Sequence, residues 1–185
     1  MLVLTIFSGI VALLIGLWTL VPILYGVPWR PTQESRIRNA LQLARVKPDE
    51  ILYDLGAGDG RVLILAAREF GARGVGVEIA PIQVVVARLI AFFNGVSSKV
   101  RMKRANFNRT DLHEADIVFA YLTSDQAPRL QRQLAAQLRE GSRVITISFD
   151  LPGWQPAAFA RNNLIFLYRM PPTSGDLVSF LRSQE

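Results

Sequence analysis

Cysteine is absent from all 185 residues, so the chain has no disulfide framework, no thiolate metal site and no cysteine nucleophile. Histidine occurs once, at His113, which excludes the usual multi-histidine metal clusters. That residue is read as a surface histidine, and no metal is expected. The sequence also has no internal repeat and no low-complexity segment. Charge is missing from the whole stretch Met1 to Trp29.

That uncharged stretch is the first thing to account for. Leu2 to Leu24 is almost wholly aliphatic, and roughly 23 residues rising about 1.5 Å each span the hydrocarbon core of a bilayer. Gly9, Gly16 and Pro22 are tolerable in a membrane helix, and Trp18, Tyr25 and Trp29 suit an interface. A cleaved signal peptide needs a positive leading region and small residues at its cleavage site. No Lys or Arg precedes the run, and Ile23-Leu24-Tyr25-Gly26 is a poor cleavage site, so an uncleaved anchor is expected. Arg30, Arg36, Arg38, Arg45 and Lys47 all follow it, which orients the N-terminus outside and the remainder in the cytoplasm. The expected organisation is a transmembrane anchor over 1–27, a Pro-marked connector and helix over 28–48, and one domain over 49–185. The net charge of +6 suits nucleic acid, anionic lipid or an acidic protein without choosing among them.

The domain is organised around Ile51 to Glu78. Ile51-Leu52-Tyr53-Asp54-Leu55 is a short apolar run carrying an acid, and Gly56-Ala57-Gly58-Asp59-Gly60-Arg61 follows it. This is how a buried parallel strand turns sharply into a helix while letting a ligand approach the backbone. Gly74-Val75-Gly76-Val77-Glu78 is the next strand, ending in a carboxylate 20 residues after Gly58. A carboxylate there can accept hydrogen bonds from both hydroxyls of a ribose. The third glycine of a dinucleotide fingerprint is replaced by Arg61. Asp54 at the strand end repels a pyrophosphate but attracts an ammonium and a sulfonium.

Further strands are read at 100–105, 116–121 and 143–149, with helices over 33–44, 60–70, 81–94 and 126–139. Thr32 is the expected cap of the first of these helices. Two last strands, 164–170 and 177–181, are expected to join through Pro171-Pro172-Thr173-Ser174-Gly175. Alternating strands and helices with a terminal antiparallel pair predict an α/β fold, a doubly wound and mostly parallel sheet. Its ligand lies outside the carboxyl ends of the strands.

The Asp-x-Gly-x-Gly-x-Gly form at Asp54 to Gly60, with Glu78 downstream, resembles motifs I and II of class I S-adenosylmethionine-dependent methyltransferases. Pro31-Thr32 after a membrane helix, Asn106-Phe107 and Leu151-Pro152-Gly153-Trp154-Gln155-Pro156 narrow the resemblance. Together the set resembles the membrane-anchored lysine methyltransferases of the ATP synthase c subunit and the adenine nucleotide translocase, with their prokaryotic relatives. The resemblance implies a seven-stranded Rossmann-like methyltransferase sheet with a reversed last strand, and S-adenosyl-L-methionine as cofactor. It places Asp54, Gly56 and Gly58 at the methionine part, Asp59 beside it, Glu78 on the ribose, and Asn106 and Phe107 at the adenine. Tyr121 is the candidate for lining the acceptor channel and Trp154 for walling it by cation–π contact. A membrane-protein lysine is the expected acceptor. A lipid headgroup, and a non-catalytic nucleotide-binding role, stay open. Nucleic acid is disfavoured, because Tyr121-Leu122 carries no Asn-Pro-Pro-Tyr-type motif and a tether does not suit it.

Overall fold

The computed structural model describes residues 1–24 and 31–183, and of Leu14 and residues 17–24 the backbone alone. Helix α1 (Leu2–Leu24) is one uninterrupted, uncharged helix of 23 residues. Its orientation and the Tyr25 and Trp29 belt lie outside the described residues, as does the side chain of Trp18. Among the described residues no helix is long and apolar enough to cross a membrane.

Helix α2 (Glu34–Leu43) follows, and Ile37, Ala40 and Leu41 on its inner face are fully buried. Its N-cap is Gln33, with no side-chain cap; Thr32 is itself buried and does not serve as the cap. The chain then alternates: β1 (Ile51–Leu55), α3 (Arg61–Glu69), β2 (Arg73–Glu78), α4 (Pro81–Phe93), β3 (Val100–Arg104), β4 (Ile117–Ala120), α5 (Ala127–Gln137) and β5 (Arg143–Ile147). Pro81 opens α4, where its missing N–H costs nothing.

The C-terminal quarter departs from the expectation. The residues 177–181 are not a strand: α6 (Leu177–Arg182) is a helix started by a capping box between Asp176 and Ser179. The seventh strand comes earlier. Short β6 (Trp154–Gln155) and β9 (Thr173–Ser174) form a separate two-stranded ribbon, whereas β7 (Ala158–Ala160) and β8 (Ile165–Arg169) join the main sheet. The seven-stranded order is β3-β2-β1-β4-β5-β8-β7, with β8 antiparallel to both its neighbours. That is the Rossmann-like methyltransferase arrangement with one reversed strand.

Two apolar clusters flank the sheet. On one face α2, α3 and α4 contribute Ile37, Leu41, Leu63, Val84, Ala87 and Ala91; on the other α5 contributes Leu130 and Leu134 around Val118, Val144 and Tyr168. Strands covered on both faces need continuous apolar runs, and β4 and β5 are buried at every residue. Arg143, at the start of β5, is buried and donates to the carbonyls of Ala44 and Arg45 at 2.6 and 3.0 Å, fastening the end of α2 to the sheet.

Helix α3 lies unusually close to β2, because β2 has glycine where other strands have side chains. A Cβ on Gly74 would sit 2.9 Å from Leu63 Cβ. Gly74→Ala is therefore expected to lower stability by about 1–3 kcal/mol through overpacking, read as a fall in the urea midpoint at unchanged slope.

Candidate active site

Strand β1 carries Asp54 into the centre of the sheet, in register with Gly76 of β2 on one side and Phe119 of β4 on the other. Beyond Leu55 the backbone folds back on itself, and Gly56, Gly58 and Gly60 take φ of 84°, 54° and 77°. Those angles are left-handed, the region that a Cβ disfavours. The N–H groups of Gly56 and Ala57 donate to Val77 O at 2.9 and 3.1 Å, fixing the turn against β2. Glu78 completes the brace. Its two carboxylate oxygens accept from the N–H groups of Gly58 and Ala80, each at 2.9 Å. One acid thus locks the glycine turn to the start of α4 and keeps a free lone pair on each oxygen for a ligand.

Charge in this turn is one-sided. Asp54 is 4 % exposed, and burial pushes its carboxyl well above the usual carboxylate range. The charges of Glu78 and then Asp59 push it further the same way. Asp59 itself is held by Arg61, whose Nε donates to both carboxylate oxygens at 3.0 and 3.1 Å and whose Nη2 donates at 2.6 Å. Arg61 also reaches across to the carbonyl of Thr32 at 3.2 Å. The cleft so formed is lined by Pro31, Thr32, Asp54, the glycine turn, Val62, Phe119 and Tyr121. Two carboxylates line the cleft, a third, Glu78, braces its turn from behind, and one arginine answers them, which leaves a surplus of acidic groups. A ligand carrying both an ammonium and a sulfonium meets that surplus.

A second cleft opens beside the first and shares Pro31, Thr32 and Tyr121 with it; Arg36, Asn163 and Leu164 add to its wall. Arg36 organises this side. Its guanidinium lies over the Tyr121 ring, 5.4 Å from the centroid, while Nε donates to Asn163 O at 2.7 Å and Nη2 to Ser148 Oγ at 2.8 Å. Ser148 and Leu164 both hold left-handed backbone angles, φ 65° and 46°, and the N–H of Ser148 donates to Leu164 O at 2.9 Å. Such strain in non-glycine residues persists only where the surroundings impose it, and it gathers at functional sites.

This geometry coincides with a likeness to known proteins. The ANTKMT methyltransferase domain family matches residues 54–158. The chain belongs to that family. It is 35% identical over 149 residues to a protein-lysine N-methyltransferase of Saccharolobus islandicus (strain REY15A), covering 77% of this chain and 92% of that protein. It is 36% identical over 139 residues to the adenine nucleotide translocase lysine N-methyltransferase of Mus musculus, 75% of this chain and 60% of the mouse protein. Among solved structures, an RNA methyltransferase from Salinibacter ruber in complex with S-adenosyl-L-homocysteine superposes with a TM-score of 0.75 at 35% identity, covering 80% of this chain and 97% of that one. The chain is an S-adenosylmethionine-dependent methyltransferase.

For a methyltransferase of this family, the site residues expected from the sequence divide into three groups. Asp54, Gly56, Gly58, Asp59 and Tyr121 meet in one cleft, and Glu78 joins them through the Gly58 N–H. Asn106 and Phe107 stand one strand further out, just past β3, where Asn106 Oδ1 accepts from the N–H of Asn108 at 3.0 Å. Trp154 lines neither cleft: its ring meets Tyr168 edge-on at 6.1 Å, within the cluster packed around α5. Arg36 is the site residue that sequence reasoning misses, because its only sequence signal is membership of the basic run after α1. His113 is exposed and paired with Asp111 at 2.5 Å, away from either cleft.

Asp54 gives the site a pH signature. Its folded carboxyl is raised above the unfolded value of about 3.9. Between those two values the folded state holds the extra proton, so stability of the unloaded protein falls as pH rises through that window. A cofactor ammonium held by Asp54 would need the anion, so its binding should run the opposite way and strengthen with pH. Asp54→Asn should flatten both profiles, raise the melting temperature of the unloaded protein at neutral pH, and weaken S-adenosylmethionine binding roughly 10- to 100-fold. Thermal melts and calorimetry across pH 4–8 measure both.

Proposed function

We propose that this methyltransferase N-methylates lysine side chains of a membrane protein and is itself held at the membrane by α1. Residues 1–27 form the anchor, 28–48 the connector and pre-domain helix, and 49–185 the methyltransferase domain, on the cytoplasmic side. Lysine as acceptor is supported by the names of the S. islandicus and mouse relatives. A membrane anchor is supported by the 23 uncharged residues of α1, and tethering would raise the local concentration of a membrane substrate.

The observation that carries the reading is the junction of the two clefts at Tyr121. The acid-lined cleft suits the cofactor, and the second cleft leads an acceptor to the same point. S-adenosylmethionine, when bound, supplies a methyl group on a cationic sulfur, and transfer breaks that carbon–sulfur bond as the new nitrogen–carbon bond forms. Asp54 would hold the ammonium of its methionine part, Glu78 the ribose hydroxyls, and Asn106 with Phe107 the adenine. Tyr121 would wall the approach of the amine and keep it in line with the methyl.

The acceptor must arrive neutral. With an ordinary lysine pKa near 10.4, deprotonation at pH 7 costs about 4.6 kcal/mol. Arg36, held over Tyr121 by its two hydrogen bonds, presents a fixed positive charge beside the entering ammonium. A like charge disfavours the protonated form, so the amine sheds its proton to water without a dedicated base.

Arg36→Met should lower kcat about 10- to 100-fold, with S-adenosylmethionine affinity unchanged, and should move the rising limb of the pH–rate profile upward. Incubating the protein with membranes and methyl-labelled cofactor tests the acceptor itself. Label in a membrane-protein band, traced to lysine by mass spectrometry, is the expected result. Label only in the lipid extract, or only in RNA, the acceptor for which the Salinibacter ruber enzyme is named, would overturn it.

A further inference from the structure

Helix α4 has two apolar faces where a surface helix has one. Val84, Ala87 and Ala91 turn inward and are buried. Val85, Leu89, Phe92 and Phe93 recur at the spacing of a single helical stripe on the other side, exposed by 54, 51, 65 and 81 %. The two phenylalanine rings meet edge-on at 5.6 Å, forming an apolar knob at the end of the helix.

Beside this stripe runs β3, the edge strand of the sheet. From residue 79 to residue 110 there is no acid at all, and there are six cations: Arg88, Lys99, Arg101, Lys103, Arg104 and Arg109. Lys99, Arg101, Arg104 and Arg109 are exposed, and none of them is in an ion pair among the described residues. Charge alone would keep an edge strand from pairing with another chain. An adjoining stripe of bare Val, Leu and Phe is not needed for that.

We propose that the α4–β3 edge is a lipid-docking surface: Val85, Leu89, Phe92 and Phe93 enter the headgroup boundary of an anionic bilayer, and Lys99, Arg101 and Arg104 bind its phosphates. An apolar stripe flanked by Lys and Arg is the pattern that lies in an interface. Location agrees, since α1 comes into contact with α4, so the phase that takes up α1 adjoins this face. A nucleic acid would use the cations and leave Val85 and Leu89 in water. A second copy of the chain would bring two basic edges together. The inference rests on the proposed anchoring and deepens it, laying the domain on the bilayer by its side with the Glu78 end of the cofactor cleft opening beside the headgroups.

The missing cysteines make the test direct. Leu89→Cys, Phe93→Cys, Ile6→Cys on α1 and Ala135→Cys on exposed α5 each give one labelling site in the full chain, reconstituted in nanodiscs and read by quenching with brominated lipid. In phosphatidylglycerol discs the probes at 89 and 93 should be quenched at least about threefold more than that at 135, and Arg101→Glu with Arg104→Glu should abolish the difference. Equal quenching at 89, 93 and 135 would overturn the inference. So would a response at 89 and 93 to a short uridine oligonucleotide but not to lipid. Quenching at position 6 reports the anchor separately: present at 6 and absent at 89 and 93, it leaves the anchor standing and removes the docking surface.

Discussion

Everything in this fold serves one electrostatic demand: a carboxyl group must be kept inside the sheet without a counter-charge of its own. Asp54 sits where β1 is covered on both faces, and the nearest charges, Glu78 and Asp59, are of the same sign. Apolar packing alone would have favoured a neutral residue there by several kcal/mol, since an ion taken out of water without a partner is costly. On the proposed reading that cost would be recovered when the cationic cofactor binds. Burial favours the protonated carboxyl in the unloaded protein, and a bound cation would favour the anion.

The same demand explains the neighbouring geometry. Glu78 cannot drift away from the turn, because both its oxygens are engaged by backbone N–H groups. Asp59 cannot add its full charge, because Arg61 holds it bidentately. The acidic groups thereby stand along the glycine turn, with Asp59 answered at the rim by Arg61. A second positive group, Arg36, stands over Tyr121, where on the proposed reading it would oppose an acceptor ammonium instead of the cofactor. On that reading a cation belongs in the first cleft and a neutral amine in the second, and the fixed charges suit that division.

Local signals make the core of this arrangement legible. Gly at alternate positions after an apolar run has few meanings, and Asp54, Gly56, Gly58 and Glu78 can be read together because the turn that unites them is contiguous in sequence. Strands β1 to β5 and helices α2 to α5 follow from period and punctuation, each within a residue or two. What escapes a local reading is decided by partners far away in the chain or by a cap. Leu177 to Leu181 has the composition of a strand, but Asp176 and Ser179 cap it as a helix. Ala158–Ala160 is too short and too plain to announce itself, and becomes a strand only because β8 lies open beside it. Trp154 sits in a turn-rich loop, and its edge-on contact with Tyr168, 14 residues on, has no local signal in the sequence. Val85, Leu89 and Phe92 are legible as apolar, whereas the side on which they fall depends on the burial of Ala87 and Ala91.

The hydrogen bond from Arg61 to the carbonyl of Thr32 joins the lip of the cofactor cleft to the segment just ahead of α2. On the proposed anchoring, the reacting carbon is therefore tied to the segment that leads back to α1, and its reach from the lipid plane is bounded by the covalent length of the chain between them. Amines offered at another depth would be out of reach however well they matched the walls of the slot. The enzyme would then choose among acceptors by elevation, measuring before it recognises.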